Sequence, residues 1–253
     1  MRITHISDIH CNYGTDFNLK IFEKAVKLVN KTDADIIFIS GDLTTDGLLS
    51  EYKLAKEKLK QLDGRIVIVP GNHDERNLGF KLFPEFFGET DFIHTYEDVI
   101  FIGLASSEPD KDDGRLGRSR HEKIKEGIKK NKMTILGFHH HVIPVPNSGR
   151  ETNIIEDAGE TLDIILKNNI PLVLMGHRHV PYGVKIHKTL LVNAGTFSCN
   201  RTRAHFGNTF NIIDIDDNEI EVKVFDIVKN NEKKMIKFNL DDGCCINRYY
   251  DLK

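Results

Sequence analysis

Strand-like and helix-like spacings of apolar residues alternate along the first part of the chain. Short apolar runs predict strands at Arg2–Ser7, Ile36–Ser40 and Arg65–Val69. Between them, apolar residues recur at helical spacing over Asp16–Asn30 and over Leu48–Leu62. This strand–helix–strand–helix–strand order is typical of parallel strands joined by right-handed crossovers. We therefore expect a parallel sheet with helices packed on it.

The middle of the chain is less regular. Its predicted elements are the two strands of a hairpin and two helices: Phe92–Thr95, Val99–Leu104, Ser119–Lys130 and Ile155–Leu166. Proline, glycine and charged residues mark two loops, Ser106–Arg118 and Pro144–Asn153. The second loop follows a run of histidines, so we expect it to overhang the site that those histidines form.

The last part of the chain changes to a period of two, which indicates antiparallel strands. The predicted strands are Val184–Ile186, Leu190–Val192, Thr209–Ile215 and Ile220–Phe225. The whole pattern predicts an α/β fold in which two mixed sheets are stacked and flanked by helices. We predict one domain over residues 1–228 and a C-terminal tail over residues 229–253. The tail is rich in lysine and asparagine, and it could be either poorly packed or packed on the domain.

Composition sets limits on the function. The chain has 253 residues, 40% of them hydrophobic, and a formal net charge of −3. These values are ordinary for a globular domain and give no sign of bulk attraction to nucleic acid or to a membrane surface. The four cysteines form no metal-binding or disulfide framework, and no apolar stretch approaches the roughly 20 residues of a membrane span. We expect a cytoplasmic protein with reduced thiols.

Five polar motifs recur at one kind of position, directly after a short apolar run. In chain order they are Asp8-Ile9-His10, Gly41-Asp42, Gly71-Asn72-His73-Asp74, His139-His140-His141 and Gly176-His177-Arg178-His179. They contain seven of the twelve histidines. Each apolar run is a predicted buried strand, and open α/β sheets build their sites at the carboxyl ends of such strands. We therefore expect the five motifs to meet.

Carboxylate, imidazole and amide oxygen atoms together suit Mn²⁺, Fe or Zn²⁺ and require no thiolate. A shared carboxylate can bridge two ions about 3.5–4 Å apart, the spacing that clamps a phosphoryl group. Taken singly, each motif is equally well explained as a turn or a satisfied core residue. A structural explanation for all five in this order is poor, so the sequence favours a two-metal site.

On these motifs the chain resembles the calcineurin-like metallophosphoesterase superfamily over about Arg2 to Ile215. The resemblance implies a four-layer α/β/β/α sandwich and two divalent ions, most often Mn²⁺ or Fe, with Zn²⁺ as an alternative. It implies that the first ion is held by Asp8, His10 and His179, and the second by Asn72, His139 and His177. Asp42 would bridge the two ions. His73 would be the catalytic residue that contacts the phosphate and protonates or stabilises the leaving oxygen.

Several assignments stay open at this level. A neighbour of His139 could take its place as a ligand, because the histidine run allows a shift by one residue. His140 is then either a substrate contact or a support for a ligand. The acidic partner of His73 is either Asp46 or Asp74, and Asp74 could instead cap the next helix.

Five arginines in loops are candidates for phosphate contacts, since the guanidinium fork suits phosphate oxygens. They are Arg115, Arg118, Arg150, Arg201 and Arg203. We predict Arg201, together with Asn72, His73 and His140, as substrate-binding residues. For each arginine alone, a solvated surface position is the simpler explanation.

The substrate class follows less directly. The stretch Gly41–Gly47 reads GDLTTDG and lacks the GDxVDRG pattern of protein phosphatases. Its pattern, with that of Val69–Asp74, is closest to bacterial and archaeal cyclic nucleotide phosphodiesterases. We predict hydrolysis of a small, nucleotide-type phosphodiester by a metal-bound hydroxide. The alternatives are a phosphomonoesterase, a DNA nuclease or a non-catalytic metal-binding scaffold, and a homodimer could form through an exposed edge strand.

Overall fold

The protein is described by a computed structural model that covers residues 1–149 and 151–252. This part of the chain contains thirteen strands: β1 (Arg2–Ile6), β2 (Ile36–Ile39), β3 (Ile66–Ile68), β4 (Phe92–Tyr96), β5 (Val99–Gly103), β6 (Met133–Gly137), β7 (Leu172–Met175), β8 (Tyr182–Ile186), β9 (Thr189–Asn193), β10 (Thr209–Ile215), β11 (Glu219–Asp226), β12 (Asn231–Asn239) and β13 (Cys245–Asn247). Its five α-helices are α1 (Leu19–Val29), α2 (Leu49–Leu59), α3 (Gly79–Phe87), α4 (Gly117–Gly127) and α5 (Ala158–Lys167). A 3₁₀ helix covers Tyr249–Leu252.

The strands form two mixed sheets. The first has the order β13-β12-β11-β10-β1-β2-β3, and the second has the order β4-β5-β6-β7-β9-β8. Strands β1, β2 and β3 run parallel, as do β5, β6, β7 and β9, while the other pairings are antiparallel. The parallel strands are the ones joined by helices, which follows from the crossover that a parallel pair requires.

Three apolar clusters define four layers. The central cluster joins residues of both sheets, so the sheets pack face to face; across it, the rings of Phe38 and Phe101 lie 4.9 Å apart. A second cluster joins the first sheet to α1, α2 and α3, and a third joins the other sheet to α4 and α5. The order is therefore helix, sheet, sheet, helix. The α/β/β/α sandwich with two mixed sheets is confirmed.

Local sequence explains how the first helix begins and which face it buries. The side chain of Asn18 accepts a hydrogen bond of 3.1 Å from the backbone amide of Ile21, which caps the helix. Phe22, Ala25 and Val29 then point into the core at helical spacing. The predicted helices agree with α1, α2, α4 and α5 to within a few residues.

The C-terminal segment forms two further strands of the first sheet. Strand β12 pairs along its length with β11, and it buries Met235, Ile236 and Phe238 in the central cluster. Strand β13 then pairs with β12 and forms the edge of the sheet. The C-terminal segment is therefore packed on the domain, and these apolar side chains complete the core. The domain boundary at residue 228 stays a prediction.

Helix α3 was not predicted from the sequence, and it packs against α2. Strand β9 pairs antiparallel with β8, as expected, but it also pairs parallel with β7.

None of the helices in the described part of the chain combines the length and the apolar character that a membrane span requires.

Candidate metal centre

The five polar motifs meet where strands β1, β2, β3, β6 and β7 end. Backbone hydrogen bonds extend beyond the strands and hold the motifs side by side. The amide of Asp8 donates to the carbonyl of Gly41 at 3.0 Å, and that of His10 donates to the carbonyl of Asp42 at 2.9 Å. In the second sheet, the amide of Gly176 donates to the carbonyl of His139 at 2.8 Å. The motif side chains are thus carried on a rigid frame.

A first group of donor atoms consists of Asp8, His10 and His179, whose ligand atoms all lie within 4.8 Å of one another. The Nε2 atom of His179 is 3.2 Å from Nε2 of His10 and 3.2 Å from Oδ1 of Asp8. All three side chains are buried. This spacing suits one cation that takes a bond from each residue.

A second group lies beside the first and consists of Asp42, His139 and His177. The Nε2 atom of His139 is 3.3 Å from Oδ2 of Asp42. The amide oxygen of Asn72 is 3.2 Å from His139 Nε2 and 3.1 Å from His177 Nδ1, so it adds a fourth donor. The same Asp42 Oδ2 is 3.6 Å from Nε2 of His10. Asp42 therefore stands between the two groups.

Hydrogen bonds to backbone carbonyl oxygens fix the ring orientation of two histidines. His179 Nδ1 lies 2.6 Å from the carbonyl oxygen of Arg201, and His139 Nδ1 lies 2.6 Å from that of Ser40. A carbonyl only accepts, so each Nδ1 carries a proton, and Nε2 is the ring nitrogen directed into the cluster. Oδ1 of Asp8 is buried and accepts no hydrogen bond within the described chain. These features fit metal ligands better than a self-contained polar core.

Positive φ angles are frequent among the same residues. Five of the seven predicted ligands have positive φ angles: Asp8 at 54°, His10 at 54°, Asp42 at 55°, His177 at 75° and His179 at 56°. Residues with a side chain adopt this left-handed region rarely, although aspartate and histidine do so more than most. Such positions cluster at functional sites, where the surrounding structure enforces them.

The chain matches the family model of the calcineurin-like phosphoesterases over residues 1–181. It belongs to this family. A probable cyclic nucleotide phosphodiesterase of Coxiella burnetii is 29% identical over 211 residues, which cover 77% of this chain and 82% of that relative. A probable glycerophosphodiester phosphodiesterase of Arcobacter nitrofigilis is 31% identical over 196 residues, which cover 71% of this chain and 72% of that relative.

The fold is also found among solved structures. The purple acid phosphatase PPD1 from yellow lupin seeds superposes with a TM-score of 0.72 at 15% identity. The match covers 92% of this chain and 52% of that one, and it is a likeness of fold. The family and the relatives confirm that the protein is a hydrolase of phosphoester bonds, as the five motifs predicted.

Burial and the contacts between its members set the charges of the phosphoesterase cluster. Burial lowers the pKa of His10 to about 4, so this imidazole is neutral at pH 7. Although burial acts in the opposite direction, the neighbouring histidines hold the pKa of Asp42 well below its usual range. Burial also opposes protonation of His139, but the charge of Asp42 raises its pKa to about 9. A metal would therefore displace a proton from His139.

His73 lies at the rim of the cluster and lines the cavity in front of it. Its Nδ1 atom is 2.6 Å from the carbonyl oxygen of Thr45, and its backbone amide donates to Oδ1 of Asp42 at 3.0 Å. The expected acidic partner, Asp46 or Asp74, is therefore wrong. Asp74 instead accepts hydrogen bonds from the amides of Thr44 and Gly71 and ties two motif loops together.

His140 does not line the cavity. It is 1% exposed, its Nδ1 lies 2.9 Å from the hydroxyl of Ser106, and its Nε2 lies 3.2 Å from the backbone oxygen of Asp112. Both ring nitrogens thus hold the loop of residues 106–116, which carries Asp112 to the cavity. We therefore correct the expectation of a substrate contact at His140. Within the histidine run, it is His139 that lies in the cluster with Asp42.

The cavity in front of the cluster has a volume of about 460 Å³. Arg201 lines it, and its Nη2 atom is 3.3 Å from Nδ1 of His10. Of the other candidate arginines, Arg203 lines the cavity, Arg115 and Arg118 do not, and Arg150 lies outside the described residues.

Three cavity residues were missed by the sequence analysis: Arg76, Asp112 and Arg178. Arg76 and Arg178 lie in or next to a motif, which is a signal that could have found them. Asp112 comes from a loop that the sequence marks only as irregular. As expected, the loop that follows the histidine run overhangs the cavity, through Gly149 and Asn153.

Proposed function

We propose that this phosphoesterase is a two-metal phosphodiesterase that hydrolyses a small, nucleotide-type phosphodiester. The observation that carries the proposal is the place of Asp42. Its Oδ2 atom is 3.3 Å from His139 Nε2 in one donor group and 3.6 Å from His10 Nε2 in the other. A carboxylate in this position can bridge two cations, which is the arrangement that holds a phosphoryl group for in-line attack.

Each cation would have its own set of donors. Asp8, His10 and His179 would hold the first, Asn72, His139 and His177 would hold the second, and Asp42 would be shared. Three oxygen donors and four imidazoles accept Mn²⁺, Fe or Zn²⁺, and we favour Mn²⁺ or Fe, the ions that the resemblance to the family implies. When bound, the ions would lower the pKa of a water molecule and offset the charge on the phosphate.

The protein side chains would position the substrate and manage its proton. With Nδ1 directed at the carbonyl of Thr45, His73 has Nε2 left for the substrate. We infer that it protonates or stabilises the leaving oxygen, a role that needs hydrogen-bond reach rather than metal ligation. Arg201 and Asn72 lie in the same cavity, where the guanidinium and the side-chain amide nitrogen are placed to contact phosphate oxygens.

The preference for a diester is supported by the two relatives described above, whose names refer to phosphodiester substrates. The cavity of about 460 Å³ is large enough for a mononucleotide. A cytoplasmic location and a homodimer stay predictions. The edge strand β13, where Ile246 is 49% exposed, is the place at which a second copy could pair.

The test compares bis-p-nitrophenyl phosphate with p-nitrophenyl phosphate, after chelation and again with Mn²⁺ restored. We expect Mn²⁺-dependent hydrolysis with the higher kcat/KM for the diester. A higher value for the monoester would replace this proposal with a phosphomonoesterase. No turnover despite two bound equivalents of Mn²⁺ would favour a metal-binding scaffold. A salt-sensitive affinity for DNA with cleavage would favour a nuclease.

A further inference from the structure

The histidines of the predicted metal centre differ in what holds the ring nitrogen that faces away from the cluster. For His139 and His179 this nitrogen is Nδ1, which lies 2.6 Å from a backbone carbonyl oxygen. The ring of His177 is reversed, with Nδ1 on the cluster side, 3.1 Å from Oδ1 of Asn72 and 3.3 Å from Nε2 of His139. Its outer nitrogen, Nε2, is buried and has no hydrogen-bond partner among the residues that the structure describes.

Ligation would make this outer nitrogen of His177 a hydrogen-bond donor. A neutral imidazole that binds a metal through Nδ1 carries its proton on Nε2. The second N–H of a ligating histidine almost always donates to a carboxylate, a carbonyl or water, which fixes the ring. A buried N–H without an acceptor costs free energy. The predicted ligand set therefore needs an acceptor beside Nε2 of His177.

Two members of the histidine run at 139–141 lie against the ring of His177 with their own rings. His140 is the nearer, with ring centroids 4.5 Å apart, but both of its nitrogens have partners, the hydroxyl of Ser106 and the backbone oxygen of Asp112. The ring of His141 lies 5.8 Å away at an interplanar angle of 32°. His141 is 0% exposed, and neither of its ring nitrogens has a hydrogen-bond partner in the described part of the chain. Of these two neighbours, His141 is the one that can still accept.

Folding alone gives no reason for a histidine at position 141. A buried polar ring with both nitrogens unpaired destabilises a protein, and an apolar side chain of similar volume would fill the space at less cost. One nitrogen of a neutral imidazole is always an acceptor. The unpaired acceptor of His141 thus matches the unpaired donor that ligation creates on His177.

We propose that His141 is a positioning residue, which accepts the hydrogen bond from Nε2–H of His177 when this ligand binds its metal ion. The inference rests on the proposed two-metal function and adds to it a residue outside the ligand set. With ring centroids 5.8 Å apart, the hydrogen bond forms after a small rotation of the rings or through one shared water molecule. Either way it holds the ring of His177 and thereby the direction of its Nδ1 lone pair.

Calorimetric titration of Mn²⁺ into chelator-treated protein tests this role with two variants of similar side-chain volume. His141→Leu removes the acceptor and should weaken one of the two binding events by roughly tenfold or more, the usual effect of losing such a partner. His141→Gln returns an acceptor through its amide oxygen and should restore part of that affinity. His121→Leu changes a buried histidine of helix α4, outside the metal centre. It is the control for general destabilisation and should alter neither binding event.

Unfolding by urea in chelator separates positioning from support of the fold. His141→Leu should have a midpoint equal to or above that of the wild type, because it removes an unpaired buried polar group. A lower midpoint would overturn the inference, as would unchanged Mn²⁺ affinities in His141→Leu or a loss that His141→Gln does not relieve. If the expected affinities are found but the Mn²⁺-loaded wild type hydrolyses no phosphodiester, the positioning role stands and the phosphodiesterase proposal fails.

Discussion

The exposed carboxylate of Asp112 sets the orientation of a predicted metal ligand. It accepts a hydrogen bond of 3.2 Å from Nδ2 of Asn72 and another of 2.7 Å from Nη2 of Arg76. The hydrogen bond from Arg76 holds the pKa of Asp112 below its usual value, so the carboxylate is ionised at neutral pH. An amide nitrogen held in this way leaves the amide oxygen of Asn72 facing His139 and His177. We predict that Asp112→Ala weakens the metal site to which Asn72 belongs.

The size of the effect follows from exposure. A hydrogen bond to a charged group contributes about 1.5–3 kcal/mol when it is buried. The side chain of Asp112 is 68% exposed, so water replaces much of what the variant loses. The remaining loss is about 0.5–1 kcal/mol. This corresponds to a two- to fivefold weaker affinity for one metal ion, on a scale where about 1.4 kcal/mol is tenfold.

Calorimetric titration of Mn²⁺ into chelator-treated protein measures this loss site by site. Asp112→Ala should shift one of two binding events by about two- to fivefold, and it should leave the other unchanged. Asp113→Ala, a change of the neighbouring exposed aspartate, is the matched control and should alter neither event. Equal weakening of both events would refute the reasoning, because Asp112 contacts the Asn72 side and not the first donor group. An unchanged pair of affinities would refute it as well.

Three further changes test the site and the fold around it. His73→Ala should keep both metal ions, measured by elemental analysis, and slow bis-p-nitrophenyl phosphate hydrolysis by roughly 10²–10⁴-fold; metal loss would contradict the assignment. Gly71→Ala should lose metal, because its Cβ would lie 2.2 Å from Oδ1 of Asp42. Burial raises the pKa of Glu75 to about 7 from 4.5, so its ionisation opposes folding. The free energy of unfolding of the wild type should therefore fall by about 3 kcal/mol relative to that of Glu75→Gln as the pH rises from about 5 to 8. Urea unfolding in the presence of a chelator measures this difference, and a difference that does not depend on pH would contradict the reasoning.

Local pattern was enough to predict the sheet that carries the first three motifs. The run Ile36–Ile39 is buried throughout and lies between β1 and β3, as a continuous apolar strand in a parallel sheet should. Local pattern failed at α3, whose cap residue Leu78 gives no polar start signal and whose interior contains Pro84. It failed again at β12, where the first four residues are exposed and conceal a strand whose second half is core. In both places packing against neighbours decides the structure.

The candidate site likewise has residues that could be predicted from the sequence and residues that could not. Carboxylates and histidines at strand ends could be found from the sequence because metals accept few donor types. The hydrogen-bond partner of His73 could not be found from the sequence, because it is the backbone oxygen of Thr45 and every residue has such an oxygen. Asp112 and Gly149 could not be placed either, because they come from loops whose course is set by the fold and not by periodicity. Loops carried by a rigid scaffold are where substrate choice is commonly made.

His10 connects metal binding to the arginines of the cavity. Its pKa is lowered to about 4 by burial, so it is a neutral imidazole with a proton on one nitrogen. Nη2 of Arg201 lies 3.3 Å from Nδ1 of His10, and a guanidinium can only donate a hydrogen bond. Ligation of a metal through Nε2 requires the tautomer with the proton on Nδ1, to which Arg201 cannot donate. In a metal-bound centre the guanidinium of Arg201 is therefore not held by His10, and its place in the cavity leaves it to the phosphate of the substrate.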